Sequence, residues 1–172
     1  MSSESLVTKA KKSLRERMLA MGYIEGRTDS IFSLPLGSDS TIYFMCHPRR
    51  RADDVALSPM IAIENATLRA LIGEDEPKQF EPRFAHVFLS YTVNHPYTFW
   101  DFRSEFEMER VLDDIMDALN SGGIAFARYW APFERAIELL KLGYEHDLPP
   151  GVMVHPTATT REVVERYSKP LH

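Results

Sequence analysis

The chain has 172 residues, of which 44% are hydrophobic and 26% are charged, and its formal net charge is −5. This length and composition are typical of one soluble globular domain and exclude a disordered chain. The negative charge excludes a general attraction to nucleic acid or anionic lipid, so either would need a local basic patch. A single cysteine excludes a disulfide within the chain, and the lack of a signal peptide or a membrane-length apolar run predicts a cytoplasmic protein.

The first element is predicted to be an amphipathic helix that ends at Gly22, with Lys and Arg on its solvent face. Its apolar residues recur every three or four positions: Leu6, Ala10, Leu14, Met18 and Met21. The next pattern predicts a β-hairpin in which the turn-prone segment GSDS joins SIFSLPL to STIYFMC, with Pro35 at a sheet edge or strand end. The sheet continues through VALSPMIAIEN, and the segment ATLRALIG predicts a short helix ending at Gly73.

The strongest predicted strand is FAHVFLSYTV, along which hydrophobic side chains alternate between two faces. A further strand is predicted for YTFWDF. A helix then begins after Ser104, which matches the capping-box pattern with Glu107, and it is expected to break at NSGG. The last strong helix is predicted to open at Pro132 and to end at Gly143, with a break in the chain near Trp130.

This order of elements predicts an α+β fold, because the strand and helix alternation of a doubly wound parallel sheet is missing. We expect an antiparallel β-sheet of about five strands, with an N-terminal helix and two C-terminal helices packed on it. Residues 1–143 are predicted to form this single domain. Residues 144–172 form a C-terminal extension, which either docks on the domain or stays mobile and which includes the short helix candidate TATTREVVERY.

The run CHPRRRADD, residues 46–54, brings together a thiol, an imidazole, three arginines and two aspartates. It separates two apolar runs, and this position predicts a solvated hairpin loop. Arg49, Arg50 and Arg51 point in different directions, so at most two of them could clamp one phosphate or carboxylate. The two aspartates that follow are placed to neutralise them. The alternative is an anion site at the three arginines.

No strong catalytic, metal or nucleotide motif is found in the sequence. Cys46 and His47 are strand neighbours that point to opposite faces, which argues against a nucleophile and base acting together. His86 and His95 lack Cys, Asp or Glu at ligand spacing and are expected to pack on the sheet. We therefore predict no catalytic residue, no metal and no cofactor. An enzyme whose groups converge from distant positions stays open.

The helix after Ser104 carries its carboxylates in two rows. One row is Glu105, Glu109 and Asp113, and the other is Asp114 and Asp117. Like charges at these spacings destabilise a helix unless a basic partner neutralises them. We therefore predict that this acidic helical face binds a basic protein.

An aromatic side chain is expected to anchor that partner, because complementary charge speeds and selects encounter more than it sets affinity. The two tryptophans, Trp100 and Trp130, are the predicted anchors. Trp100 belongs to the aromatic run YTFWDF, for which core packing and an exposed contact surface are both open.

Two parts of the chain resemble a family of small bacterial proteins, the domain of unknown function 4304. The first, KKSLRERMLAMGYIEGRTDSIFSL, is a leading helix with Gly-Tyr before the first strand. The second, LDDIMDALNSGGIAFARYWAPFERAIELLKLG, is a helix, a break and a second helix, so that the resemblance spans about residues 9–143. It implies a noncatalytic domain, since some relatives look like immunity proteins that sit beside secreted toxins. It implies no functional residues.

These observations predict a non-enzymatic bacterial cytoplasmic protein that binds another protein and is immunity-like or defence-related. The alternative is a nucleic-acid or phosphate-ligand binder that uses Arg49, Arg50, Arg51 and the basic first helix. A homodimer formed through an exposed sheet edge or helix face is a further alternative. No membrane partner is expected.

Overall fold

The structure is a computed structural model, and it describes residues 5–27, 30–73, 84–95, 99–155 and 157–168. Helices and antiparallel strands both contribute, which confirms the predicted α+β class. No helix within these ranges is long and apolar enough to cross a bilayer.

The main sheet contains six strands that pair side by side, each antiparallel to its neighbour. Their order across the sheet is β1 (Ile24–Glu25), β2 (Ile31–Pro35), β3 (Ser40–Met45), β6 (Met60–Asn65), β7 (Ala85–Phe88) and β9 (Val152–Val154). A second sheet of three antiparallel strands consists of β4 (Arg49–Arg50), β5 (Val55–Leu57) and β8 (Trp100–Phe102). The predicted single sheet of about five strands was therefore too simple.

Helices lie before, between and after the strands in the chain. They are α1 (Leu6–Ala20), α2 (Ala66–Ile72), α3 (Leu89–Thr92), α4 (Glu105–Ala118), a π-helical segment (Leu119–Gly123), α5 (Ile124–Trp130), α6 (Phe133–Tyr144) and α7 (Ala158–Tyr167). The first helix ends as predicted, because Gly22 takes a φ of +85° that other residues rarely adopt. The predicted hairpin is formed by β2 and β3, with Pro35 as the last residue of its strand.

The run VALSPMIAIEN is divided between the two sheets. β5 joins the second sheet and β6 the main one, because the chain turns at Ser58 and Pro59. Proline carries no backbone donor for a continuous ladder. The alternating pattern of this run therefore described two short strands rather than one.

The run FAHVFLSYTV forms a strand for only four residues and then turns into α3. β7 ends at Phe88 because Phe88 pairs with Met60, the first residue of β6, and no strand among the described residues extends the ladder beyond it. The amide of Leu89 donates instead to the carbonyl of Pro59 at 3.0 Å. The prediction of one long strand was wrong because alternation in sequence cannot supply a pairing partner.

The NSGG segment does not end the helix before it. The chain continues through the π-helical segment into α5, and the break falls at Ala131 and Pro132, next to Trp130 as predicted. Gly123 keeps helical backbone angles, and a Cβ there would lie 2.9 Å from Leu89 Cδ1 and 3.0 Å from Ile61 Cδ1. This glycine is present for close packing of the helix on the sheet rather than for termination.

One face of the main sheet forms the centre of the core, where Phe32, Phe44, Ile61 and Val87 are almost completely buried. The apolar sides of the helices join them in one cluster. Residues 144–168 contribute to this fold through β9, which pairs with β7, and through α7, which contacts α6.

Candidate functional site

The position of α4 is set by a polar cap at its start and by apolar packing on one side. Ser104 Oγ accepts a hydrogen bond from the Glu107 amide at 3.2 Å, as the capping pattern predicts. The return bond differs from the ideal box, because Glu107 Oε2 accepts from the Arg103 amide at 2.7 Å. Met108, Leu112 and the other buried residues of α4 face the core, so its carboxylates point outward.

The first row of carboxylates, Glu105, Glu109 and Asp113, meets α1 of the same chain. Arg17 Nη2 lies 2.8 Å from Glu109 Oε2 and 2.8 Å from Asp113 Oδ1. Lys9 forms an ion pair with Glu105. The basic first helix therefore neutralises this row within the fold, which leaves it less free for an external partner than the sequence suggested.

The second row stays open to solvent. Asp114 and Asp117 are exposed, and neither forms an ion pair within the described parts of the chain. Phe106 and Arg110 precede them by steps of three or four residues, so all four lie along the outer side of the helix. We define the outer α4 face as Phe106, Arg110, Asp114 and Asp117.

Phe106 is the side chain that makes this surface unusual. It is 79% exposed, more than any other large hydrophobic residue given by the described part of the structure. Sequence reasoning missed Phe106, although a signal was present. Its spacing of four residues from Arg110 and eight from Asp114 already places it on the polar side of an amphipathic helix.

Both tryptophans that were predicted as anchors lie in the core. Trp100 is 6% exposed and its ring stacks on His95 with 4.4 Å between centroids. Trp130 is 9% exposed at the end of α5 and contacts Tyr129 edge to face. The run YTFWDF is thus divided, with Trp100 and Phe102 inside and Phe99 outside.

The three arginines lie on or beside β4 and are all exposed. Arg49 and Arg50 pair with β5, so this part of the run is a short hairpin strand rather than an open loop. Arg51 lies 3.7 Å from Asp101 and over the ring of Phe99 at 4.6 Å. Its ion-pair partner is therefore Asp101, not the two aspartates that follow it in sequence.

The thiol of Cys46 and the described histidines have different surroundings. Cys46 is completely buried, and this burial raises the pKa of its thiol to about 12, which disfavours a nucleophilic thiolate. His47 is exposed, while His86 Nδ1 lies 3.2 Å from His155 Nε2 across β7 and β9. Within the described ranges, no group of three or more His, Cys, Asp or Glu side chains is arranged to hold a metal.

The outer α4 face is chemically mixed. It combines an apolar ring with carboxylates and a guanidinium, and no nucleophile lies among the four side chains that define it. No family model, curated protein or solved structure matches the chain.

Proposed function

We propose that the protein is a non-enzymatic binding domain that captures a basic protein through the outer α4 face. The observation that supports this most directly is the exposure of Phe106 beside Asp114 and Asp117, which have no ion-pair partner in the described structure. An exposed ring of this size stabilises a complex when a partner covers it, by about 1.5–3 kcal/mol. The carboxylates select a basic partner and speed its encounter.

The arrangement matches the usual composition of an interface centre. One aromatic side chain supplies most of the affinity, and polar groups around it exclude water and set orientation. Phe106 replaces the two buried tryptophans in the role of anchor. Arg110, which follows Phe106 by one helical turn, adds a bidentate donor for a carboxylate or backbone carbonyl of the partner.

The nature of the partner is proposed from the resemblance to the domain of unknown function 4304. Because some members of that family look like immunity proteins, the partner is expected to be a basic toxin or a defence-related protein. Neutralisation by capture needs no catalytic group. Cys46 is completely buried, so its thiol is not on the surface that would meet the partner.

The test is a comparison of complexes purified from the native host under gentle conditions and analysed by mass spectrometry. The wild type is expected to retain one basic protein, which Phe106→Ala and the double variant Asp114→Asn, Asp117→Asn both lose. Tyr129→Ala is the matched control, because Tyr129 is also an exposed aromatic residue but lies on α5. Equal retention by all variants would show that α4 is not the binding surface.

The same variants also test whether the protein associates with itself. If the outer α4 face joins two copies of this chain, sedimentation of the pure protein shows a dimer that Phe106→Ala converts to a monomer. A monomeric wild type that binds a basic protein supports the proposal. A dimer without an external partner contradicts it.

The alternative function is binding of nucleic acid or a phosphate ligand near β4. Arg49 and Arg50 are exposed and form no ion pair in the described structure, and the hairpin and the start of α1 border a cleft of about 480 Å³. Binding of single-stranded DNA is then expected to weaken steeply with salt and to fall in the variant Arg49→Ala, Arg50→Ala. Absent or salt-insensitive binding eliminates this alternative.

A further inference from the structure

The side of the main sheet that points away from the core carries two histidines near β9. His86 lies on β7 and pairs with Met153 of β9, so these two side chains point to the same side of the sheet. His155 follows Met153 by two residues and shares that side. His86 Nδ1 lies 3.2 Å from His155 Nε2, and the two ring planes are inclined at 76°. We define the His-Met patch as His86, Met153 and His155.

His86 is an uncommon residue for the interior of a sheet. It is 9% exposed, and β7 has a paired strand on each side. A buried imidazole costs free energy unless its nitrogens find partners. The second imidazole is such a partner, but two facing ring nitrogens of a neutral pair share only one proton. A metal ion can take the place of that proton and bind a lone pair from each ring.

The distance between the two nitrogens fits a single bound ion. Imidazole nitrogens bind a metal such as zinc at about 2.0–2.1 Å, so two of them at a tetrahedral angle lie roughly 3.3–3.4 Å apart. The 3.2 Å between His86 Nδ1 and His155 Nε2 is close to this value. His155 is half-buried and follows the last residue of β9, so its ring can make the small shift that admits an ion.

The charge and softness of the ligands indicate which ion the patch takes. Imidazole binds several transition metals, whereas a thioether favours copper(I). Among the described strand residues on this side of the sheet, Glu64 is the one carboxylate. Its oxygens accept hydrogen bonds from Tyr43 at 2.8 Å and Arg69 at 3.1 Å. Neutral imidazole and thioether ligands suit a soft, singly charged ion better than Mg²⁺ or Zn²⁺.

The patch is accessible from solvent. Met153 is 40% exposed and His155 is half-buried, so an ion can enter beside the thioether. A thiolate is also a ligand for copper(I), but Cys46 is completely buried and its thiol pKa is raised to about 12 by that burial. The thiol is therefore not a competing site in the folded protein.

We propose that the His-Met patch binds one copper(I) ion, with His86 Nδ1, His155 Nε2 and the sulfur of Met153 as its ligands. Ligand spacing in the sequence does not reveal such a site, because the two histidines are 69 residues apart and come together through strand pairing. The patch shares no residue with the outer α4 face. The copper site does not depend on the proposed function.

The test titrates copper(I), supplied as its acetonitrile complex under nitrogen, into the full-length ¹⁵N-labelled protein. The imidazole nitrogen shifts of His86 and His155 are expected to change and to reach a plateau at one copper ion per chain. Zn²⁺ is the comparison ion and is expected to bind at least roughly tenfold more weakly. No saturable change at these two rings, or Zn²⁺ binding as tight as that of copper(I), overturns the proposal.

Met153→Leu tests the thioether, because it keeps a similar side-chain volume and removes the sulfur. It is expected to weaken copper(I) binding at least roughly tenfold without lowering thermal stability, since Met153 is exposed. Met21→Leu, at a half-buried position at the end of α1, is the matched control and should bind copper(I) like the wild type. Equal affinity of these two variants overturns the assignment of copper(I).

His155→Gln tests the imidazole pair, because an amide still offers a hydrogen bond to His86 but is a poor ligand for copper(I). It is expected to weaken binding at least roughly 100-fold. His47→Gln is the matched control at an exposed histidine between β3 and β4 and should bind like the wild type. Unchanged binding in His155→Gln, or binding that is lost in Cys46→Ala, overturns the proposal. Phe106→Ala should bind copper(I) normally, which keeps this test distinct from partner capture.

Discussion

Glu109 and Asp117 are both carboxylates on α4, separated by eight residues, yet they have different surroundings. Glu109 lies beside α1, where Arg17 and Ser13 reach its oxygens at 2.8 Å and 3.2 Å. Asp117 belongs to the outer α4 face, is exposed to solvent and has no ion pair in the described structure. Carboxylates of α4 therefore form ion pairs within the fold on the side that faces α1, whereas those on the outer side stay exposed to solvent.

This difference shows why counting charge on a helix does not identify its partner. The unfavourable repulsion among the first-row carboxylates is relieved by α1, so it gives no reason for external binding. The α1–α4 contact itself depends mainly on apolar burial, because exposed ion pairs contribute about 0–1 kcal/mol each. Ala10, Leu14 and Met18 are the residues of α1 that are buried there or in the adjoining core.

Removing the apolar support of α4 should have the largest effect, since it disturbs both rows at once. Leu112 is completely buried, and Leu112→Ala is expected to lower the free energy of unfolding by roughly 2–5 kcal/mol in urea denaturation. Val111→Ala, at the partly buried neighbouring position, is the control and should cost roughly 1 kcal/mol. Equal losses for the two variants would contradict the assignment of Leu112 to the core.

Reversing the charge of Arg17 on α1 removes ion pairs of the first carboxylate row and leaves the second row unchanged. Arg17→Glu places a third carboxylate beside Glu109 and Asp113 and is expected to cost roughly 2 kcal/mol. Arg110→Glu makes the same substitution on the outer α4 face, where we expect a change within roughly 0.5 kcal/mol. Adding Glu109→Arg to Arg17→Glu should restore part of the loss. No recovery in that double variant would argue against the ion pair.

Alkaline pH tests the buried thiol of Cys46, which belongs to the core and to neither row of carboxylates on α4. Burial raises the pKa of Cys46 from 9.0 to about 12, so the folded state holds this proton more tightly than the unfolded state. Its contribution to stability is complete below pH 9 and is lost as pH rises from 9 towards 12. Between pH 8 and pH 10 the loss is expected to be about 1.4 kcal/mol.

Urea denaturation of the wild type and Cys46→Ala at both pH values measures this loss, which the variant should lack. Burial also raises the pKa of Tyr23 from 10.0 to about 12, and that contribution starts at higher pH and persists in the variant. An identical loss between pH 8 and pH 10 in both proteins would contradict the role of the thiol.

The smallest effects are expected when one carboxylate of each row is neutralised. Glu109→Gln should lower the free energy of unfolding by roughly 0.5 kcal/mol. Asp117→Asn should change it by less, since Asp117 has no ion pair among the described residues. Sodium chloride at roughly 0.5 M should reduce the difference between the free energies of unfolding of the two variants, because salt screens the ion pair of Glu109.

Partner capture should rank the two variants the other way. We expect Asp117→Asn to bind the partner more weakly than Glu109→Gln does. Capture lost only in Glu109→Gln would assign binding to the first row.

Local signals in the sequence were sufficient for several elements. Gly22 and Gly73 end α1 and α2 as predicted, since both take a positive φ. The turn-prone GSDS joins β2 to β3, and Pro132 precedes the last helix before the extension. Each of these outcomes depends on backbone preferences within a few residues of the chain.

Other elements depended on neighbours that are distant in sequence. FAHVFLSYTV changes from strand to helix because its partner β6 begins at Met60. The glycines of NSGG stay helical because they pack against Ile61 and Thr92 on other elements. Phe99 and Trp100 are neighbours in the chain, and only packing places Trp100 in the core and leaves Phe99 exposed.

By itself the sequence determined the α+β class, the amphipathic helices with their caps, the main hairpin and the presence of two carboxylate rows on α4. Those features follow from periodicity and from the conformational preferences of glycine, proline and capping residues. Only the tertiary structure decided that α1 neutralises Glu109 and Asp113 and that Trp100 and Trp130 lie in the core. These outcomes depend on contacts between elements far apart in the chain, whose geometry no local pattern encodes.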